Sequence, residues 1–225
     1  MIKIMWAAVV SGAGLLVGLS AGLAWAQPKE LPAQVVTLGG SAEVHKKGAP
    51  GWTSAGLRAE LGEGDSVRTQ VGGRVTLKTA SGQALRLGSR SQLAILAPEG
   101  DGGPTRVRLD NGWLWIAVSP NSPPPTQIEV RTGPGVVTVG GAGVGLRRGP
   151  DGTVLVQVHH GNAVCAGPDR QWERALTGPQ QLLIPKSGPP GAPGPLTIDQ
   201  LEATWVKWNA DQDVAGGYGG TKPAP

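Results

Sequence analysis

Apolar and polar residues alternate one by one along most of this chain. From Arg74 to Lys78 the apolar Val75 and Leu77 face one way, while Arg74, Thr76 and Lys78 face the other. The run passes through Ala80-Ser81-Gly82 into Leu85-Arg86-Leu87, and Arg106–Leu109 passes in the same way through Asp110-Asn111-Gly112 into Trp113–Ile116. Period two marks strands, and a Ser-Gly or Asn-Gly between two such runs marks a hairpin, because Gly and Asn accept the positive φ of tight turns. Further strands are expected at Gln34–Leu38, Ala42–His45, Ser66–Thr69, Leu93–Ile95, Ile128–Thr132, Val136–Val139, Val154–Val158, Ala163–Ala166 and Leu182–Ile184. Turns are expected at Gly39-Gly40, Gly133-Pro134-Gly135, the glycine cluster Gly140–Gly145 and His159–Asn162, and a break at Pro120–Pro125. Trp113 and Trp115 alternate with Leu114 and Ile116, so this strand is apolar on both faces and must be covered on both. The pattern predicts an all-β domain over residues 34–184, either a sandwich or a solenoid-like stack of short antiparallel hairpins.

The period changes near the C-terminus. Residues 185–195 are rich in Pro and Gly and read as an extended linker. Thr197 with Gln200 forms a capping box, and Ile198, Leu201, Trp205 and Trp208 follow at spacings of three, four and three, which predicts an amphipathic helix over 196–212. Such a stripe either docks on the protein's own core or meets a partner, and these four residues are the candidate partner-binding set. The glycine-rich stretch 213–225 is expected to be a disordered tail.

The N-terminus sets the compartment. Lys3, the apolar run Ile4–Leu23 and Ala24-Trp25-Ala26 form a signal peptide over residues 1–26 with cleavage after Ala26. The protein is therefore expected to be periplasmic or secreted, touching a membrane only if that segment is retained as an anchor. Cys165 is the single cysteine and sits inside an apparent strand, where it reads as a small buried hydrophobe.

Composition adds exclusions. The net charge is +4, and Lys46-Lys47 and Arg147-Arg148 are the densest basic runs, so no nucleic-acid footprint is present. The chain has 37 Gly and 20 Pro, which suits short strands and tight turns. His45 and the pair His159-His160 lack zinc spacing, and adjacent strand residues face opposite sides. No Gly-x-Ser-x-Gly elbow occurs, and Gly140-Gly141-Ala142-Gly143 lacks the Lys-Ser/Thr of a phosphate loop. We therefore expect no metal, no cofactor and no enzymatic activity. Exposed Trp52, Trp113 or Trp172 would offer faces for sugar stacking.

Several runs in order resemble the FecR domain family. They are Gly64-Asp65-Ser66-Val67-Arg68-Thr69, Gly73–Leu77 with Ser81-Gly82, Leu85–Ser91, Arg106–Leu109 with Gly112–Trp115, Ile128–Thr132, and Val154–Val156 with Gly161–Val164. The Asp65 and Ser91 side chains are expected to hydrogen-bond turn backbone. The resemblance implies a periplasmic protein-binding or sensing module in envelope signalling, with an envelope protein as partner and no active site. A structural protein contacting polysaccharide or cell wall is the alternative. The chain departs from the family at Gly141-Ala142-Gly143-Val144, where Gly-Thr and an aromatic are usual. Signalling members carry a cytoplasmic sigma-factor-binding segment before their membrane helix, whereas three residues precede Ile4 here. A stand-alone exported member is the expectation.

Overall fold

The computed structural model describes residues 33–99, 103–119 and 127–219. The signal peptide expected over 1–26 and the break at Pro120–Pro125 lie outside them. In chain order the first strands are β1 (Ala33–Gly39), β2 (Ala42–His45), β3 (Thr53–Ser54), β4 (Glu60–Leu61), β5 (Ser66–Thr69), β6 (Arg74–Thr79), β7 (Ala84–Leu87) and β8 (Gln92–Ile95). There follow β9 (Thr105–Ala117), β10 (Gln127–Arg131), β11 (Val136–Arg148), β12 (Val154–Ala166), β13 (Glu173–Thr177), β14 (Gln180–Ile184), β15 (Gly194–Pro195) and one helix, α1 (Gln200–Gly216). The all-β expectation with a single C-terminal helix holds.

The strands form two leaves joined by bent strands. One leaf runs β4-β1-β6-β7-β9-β11-β12-β14-β15, and the other runs β3-β2-β5-β8-β9-β10-β11-β12-β13. Strands β9, β11 and β12, each 13 residues long, serve both. The first part of β9 pairs with β8 and, in parallel, with β10; from Gly112 onward it pairs with β11, and from Leu114 with β7 as well. Strands that switch leaves through bends are how such corners are made. Inner residues of both leaves, among them Leu77, Leu85, Leu114 and Ile116 with Leu93, Leu109, Ile128 and Leu176, share one apolar core. The sandwich alternative is the better description.

Three expected turns are corrected by this arrangement. Asp110-Asn111-Gly112, Gly140–Gly145 and His159–Asn162 do not reverse the chain; each is the bend of a continuous strand. Gly112, Gly141 and Gly161 have φ of 84°, 60° and 80°, and one such residue makes a bulge that turns a strand through a corner without ending it. By contrast, Ser81-Gly82 and Gly133-Pro134-Gly135 do close hairpins, between β6 and β7 and between β10 and β11. Gly39-Gly40 passes the chain from one leaf to the other, since β1 pairs with β6 and β2 with β5.

The corner beside Gly112 is tied by side chains. The Thr69 hydroxyl donates to Gly88 O at 2.5 Å and accepts from Ser91 N at 2.9 Å. Ser91 Oγ accepts from Trp113 N at 2.8 Å and donates to Ser89 O at 3.2 Å. A Cβ on Gly112 would collide with Ser91 Oγ and Arg90 O, so the close approach requires glycine. Asp65 fastens the turn before β5, accepting from Gly62 N and Lys47 N at 2.8 Å each and from Lys46 Nζ at 2.7 Å. Burial pushes its carboxyl up, but these donors outweigh it and hold it below the ordinary range.

Candidate interaction surface

Helix α1 begins later than the capping box predicts. Asp199 is the N-cap, its side chain accepting from Glu202 N at 2.8 Å. Thr197 is drawn to the sheet instead: its hydroxyl accepts from Gln181 Nε2 at 2.7 Å, and its carbonyl accepts from Gln157 Nε2 at 3.0 Å. The linker is likewise tacked down rather than free, since Gly194–Pro195 pairs with β14 and Arg174 donates to the Gly191 and Pro190 carbonyls. The helix also outlasts residue 212. Gly217, in the left-handed region, and Tyr218 donate to Val214 O and Asp213 O, a pairing that closes a helix with a glycine. Asp213–Gly219, expected to be part of a disordered tail, is thus ordered, and Tyr218 Oη reaches Gly82 O at 3.2 Å.

The helix rests on the outer face of the first leaf, and the side it buries is mostly polar. Glu202, Val206, Asn209 and Asp213 are its buried residues, at spacings of four, three and four. Asp213 accepts from Arg86 Nη1 at 2.5 Å and from Trp115 Nε1 at 2.9 Å. Burial pushes the Asp213 carboxyl above its ordinary range, with Arg86 and Trp115 acting against that rise. Glu202 accepts from Gln157 Nε2 at 3.0 Å, and Arg147 Nη1 lies 3.1 Å from its other oxygen. Trp115, 1% exposed, packs with Ala84, Ala117 and Val206. This is the cover that the two-faced strand required.

The predicted apolar stripe consequently lies along the edge of the contact, with Trp205 still packed against the Trp115 cluster. Leu201 is 86% exposed and Ile198 43%. Trp205 and Trp208 are half-buried and stack at 5.4 Å between centroids, with the Arg74 guanidinium 5.4 Å from the Trp208 ring. A cleft of about 230 Å³ opens between this stripe and the corner, lined by Arg74, Gly88, Ser89, Trp113, Leu201 and Trp205. A Cβ on Gly88 would stand 3.0 Å from Trp113 Cβ and 3.6 Å from Trp205, so this glycine forms part of the wall. Three of the four candidate partner-binding residues are therefore on one helix face, with Ile198 just ahead of it. The side chains that dock the helix, Glu202 and Asp213, were missed, although their place in a helical repeat with Val206 and Asn209 is visible in the sequence.

The other candidates are dispersed. Trp52 lies under the Arg68 guanidinium at 4.3 Å, and Trp172 packs against the core. His45 accompanies Trp52, far in sequence from the other histidines. His159 and His160 both border the helix-covered cluster, because register shifts opposite them break strict alternation: the His159 ring is 4.6 Å from Trp115, and His160 Nε2 is 4.0 Å from Asp213. Burial, then the neighbouring His160, pulls His159 down to about 4. Cys165 is buried, and that burial pushes its thiol up to about 12, which leaves it in the unreactive thiol form.

Residues 65–164 match the family described as FecR protein, a span that begins at the Asp65 turn and ends within β12, leaving α1 outside. In fold the chain is similar to two crystal structures of a putative anti-sigma factor from Parabacteroides distasonis, at 16% identity and a TM-score of 0.50. The similarity covers 64% of this chain and 64% of that one, so less than two thirds of the neighbour's length is spanned. No curated protein matches.

Proposed function

We propose, from the premise that residues 65–164 are a FecR domain, that this chain is an exported, non-enzymatic module that binds a protein partner in envelope signalling. The observation that carries the proposal is the orientation of α1, which is anchored to the domain through Glu202 and Asp213 and so leaves Leu201 exposed and Trp205 and Trp208 half-exposed along one edge of the helix. A helix retained only for stability would bury its large apolar side chains and leave charge outside. Here Glu202 and Asp213 are buried while Leu201 is 86% exposed.

Affinity capture with the full exported chain from an envelope extract, read by quantitative mass spectrometry, tests this function. One envelope protein enriched over a bead control is expected. Retention only by glycan or cell-wall material would overturn it in favour of a surface-structural role. Export has its own test: the mass of the mature protein should begin at Gln27, and a retained Met1 would make it membrane-anchored.

A further inference from the structure

We infer that the cleft between α1 and the corner of the first leaf receives a short segment of a protein partner, in which a large apolar side chain is flanked by carboxylates. The inference deepens the envelope-partner proposal and rests on it. At about 230 Å³ the cleft is smaller than the roughly 300–1,000 Å³ of small-molecule sites, but it has room for an anchoring side chain. Its walls are of the kind that carries binding energy at protein interfaces, since Arg74, Trp113, Leu201 and Trp205 line it and tryptophan and arginine are enriched at such hot spots. Val71, next in the chain to the lining residue Gly72, is 70% exposed and extends the apolar surface.

Charge selects the occupant. Arg74 is exposed, lines the cleft and, among the described residues, has no carboxylate partner; its guanidinium lies by the Trp208 ring. Arg147, over the Trp113 ring at 4.9 Å, is already paired with Glu202 at 3.1 Å. A cation left uncompensated beside an apolar cleft is complementary to a carboxylate next to an apolar anchor.

The test uses fluorescein-labelled twelve-residue peptides in two sets, binding being read by anisotropy on the full exported chain. One set carries a central Leu, Phe or Trp flanked by Asp and Glu, and the other has Lys in place of each acid. The acidic set is expected to bind and the basic set not. Arg74→Glu should weaken the acidic set by about tenfold and admit the basic set, while Leu201→Asp should weaken binding by about tenfold. Both changes are at exposed positions, so circular dichroism and melting temperature should stay as in the parent chain.

Equal binding of the two sets, or parent-like binding by both variants, would overturn the inference. A dimer in light scattering that Leu201→Asp dissociates would assign the cleft to a second copy instead. Binding to phosphatidylcholine–phosphatidylglycerol vesicles that is lost in Leu201→Asp would assign it to lipid. If both variants still capture the envelope protein that the parent chain captures, the cleft assignment fails while the proposed function stands. If the parent chain captures none, both fail.

Discussion

The two faces of the first leaf are held by different physics. Its inner face meets the second leaf through aliphatic side chains such as Leu77, Leu85, Leu114 and Ile116, each at 0% exposure, and every such side chain contributes about 1.5–3 kcal/mol by burial. The outer face meets α1 through Arg86, Trp115 and Gln157, which find Asp213 and Glu202. An apolar core tolerates small shifts, whereas a buried ion pair costs several kcal/mol in desolvation and returns it only when both partners are in place. The inner face therefore supplies stability, and the outer face supplies position: it decides which side of the helix looks outward.

The largest test of that contrast is Asp213→Ala. It leaves the Arg86 side chain buried without its anion and the Trp115 N–H without an acceptor, for an expected cost of about 3–5 kcal/mol. Because α1 alone crosses this interface, the loss should appear as helical circular dichroism fading before the sheet melts. A single unchanged transition would mean that the pair contributes nothing to docking. Leu77→Ala, on the inner face, should cost about 2–5 kcal/mol and lower one cooperative transition of the whole domain. If it too released the helix first, the two faces would not be energetically separate.

A pH ramp sharpens the comparison next. His159 stands at about 4 in the folded chain against 6.5 as the ordinary value, so folding favours its neutral form. Its contribution is complete above pH 6.5 and is lost as pH falls from 6.5 toward 4, because there the unfolded chain binds the proton and the folded one does not. The loss amounts to about 3 kcal/mol. Urea unfolding at pH 7.5 and pH 4 should show it as a difference between the parent chain and His159→Gln; equal slopes for the two would remove His159 as the cause. Asp65→Ala, away from both faces, should cost about 1–3 kcal/mol by leaving turn donors without their acceptor, measured as a shift in urea midpoint at constant slope.

Much of the fold is legible before any coordinates. The alternation at Arg74–Lys78 or Ile128–Thr132 yields strands because a half-buried strand has to place every second side chain in the core. The roles of Asp65 and Ser91 also follow from local chemistry, since each binds backbone close to its own turn. The bends were misread for a physical reason. A glycine with positive φ serves a hairpin turn and a strand bulge equally well, and Gly112 bends β9 instead of reversing it because strands distant in sequence pair with both of its halves.

The same ambiguity governs the helix. Ile198, Leu201, Trp205 and Trp208 repeat as a helical stripe, and so do Glu202, Val206, Asn209 and Asp213, one residue out of step with it. Local hydrophobicity favours burying the first. Sequence by itself determined that this chain is an all-β domain followed by one helix, because alternation, turn residues and helical spacing are local properties. Only the tertiary structure decided which stripe is buried, because Arg86, Trp115 and Gln157 come together on the sheet from three strands and present partners that only a carboxylate-bearing face can satisfy.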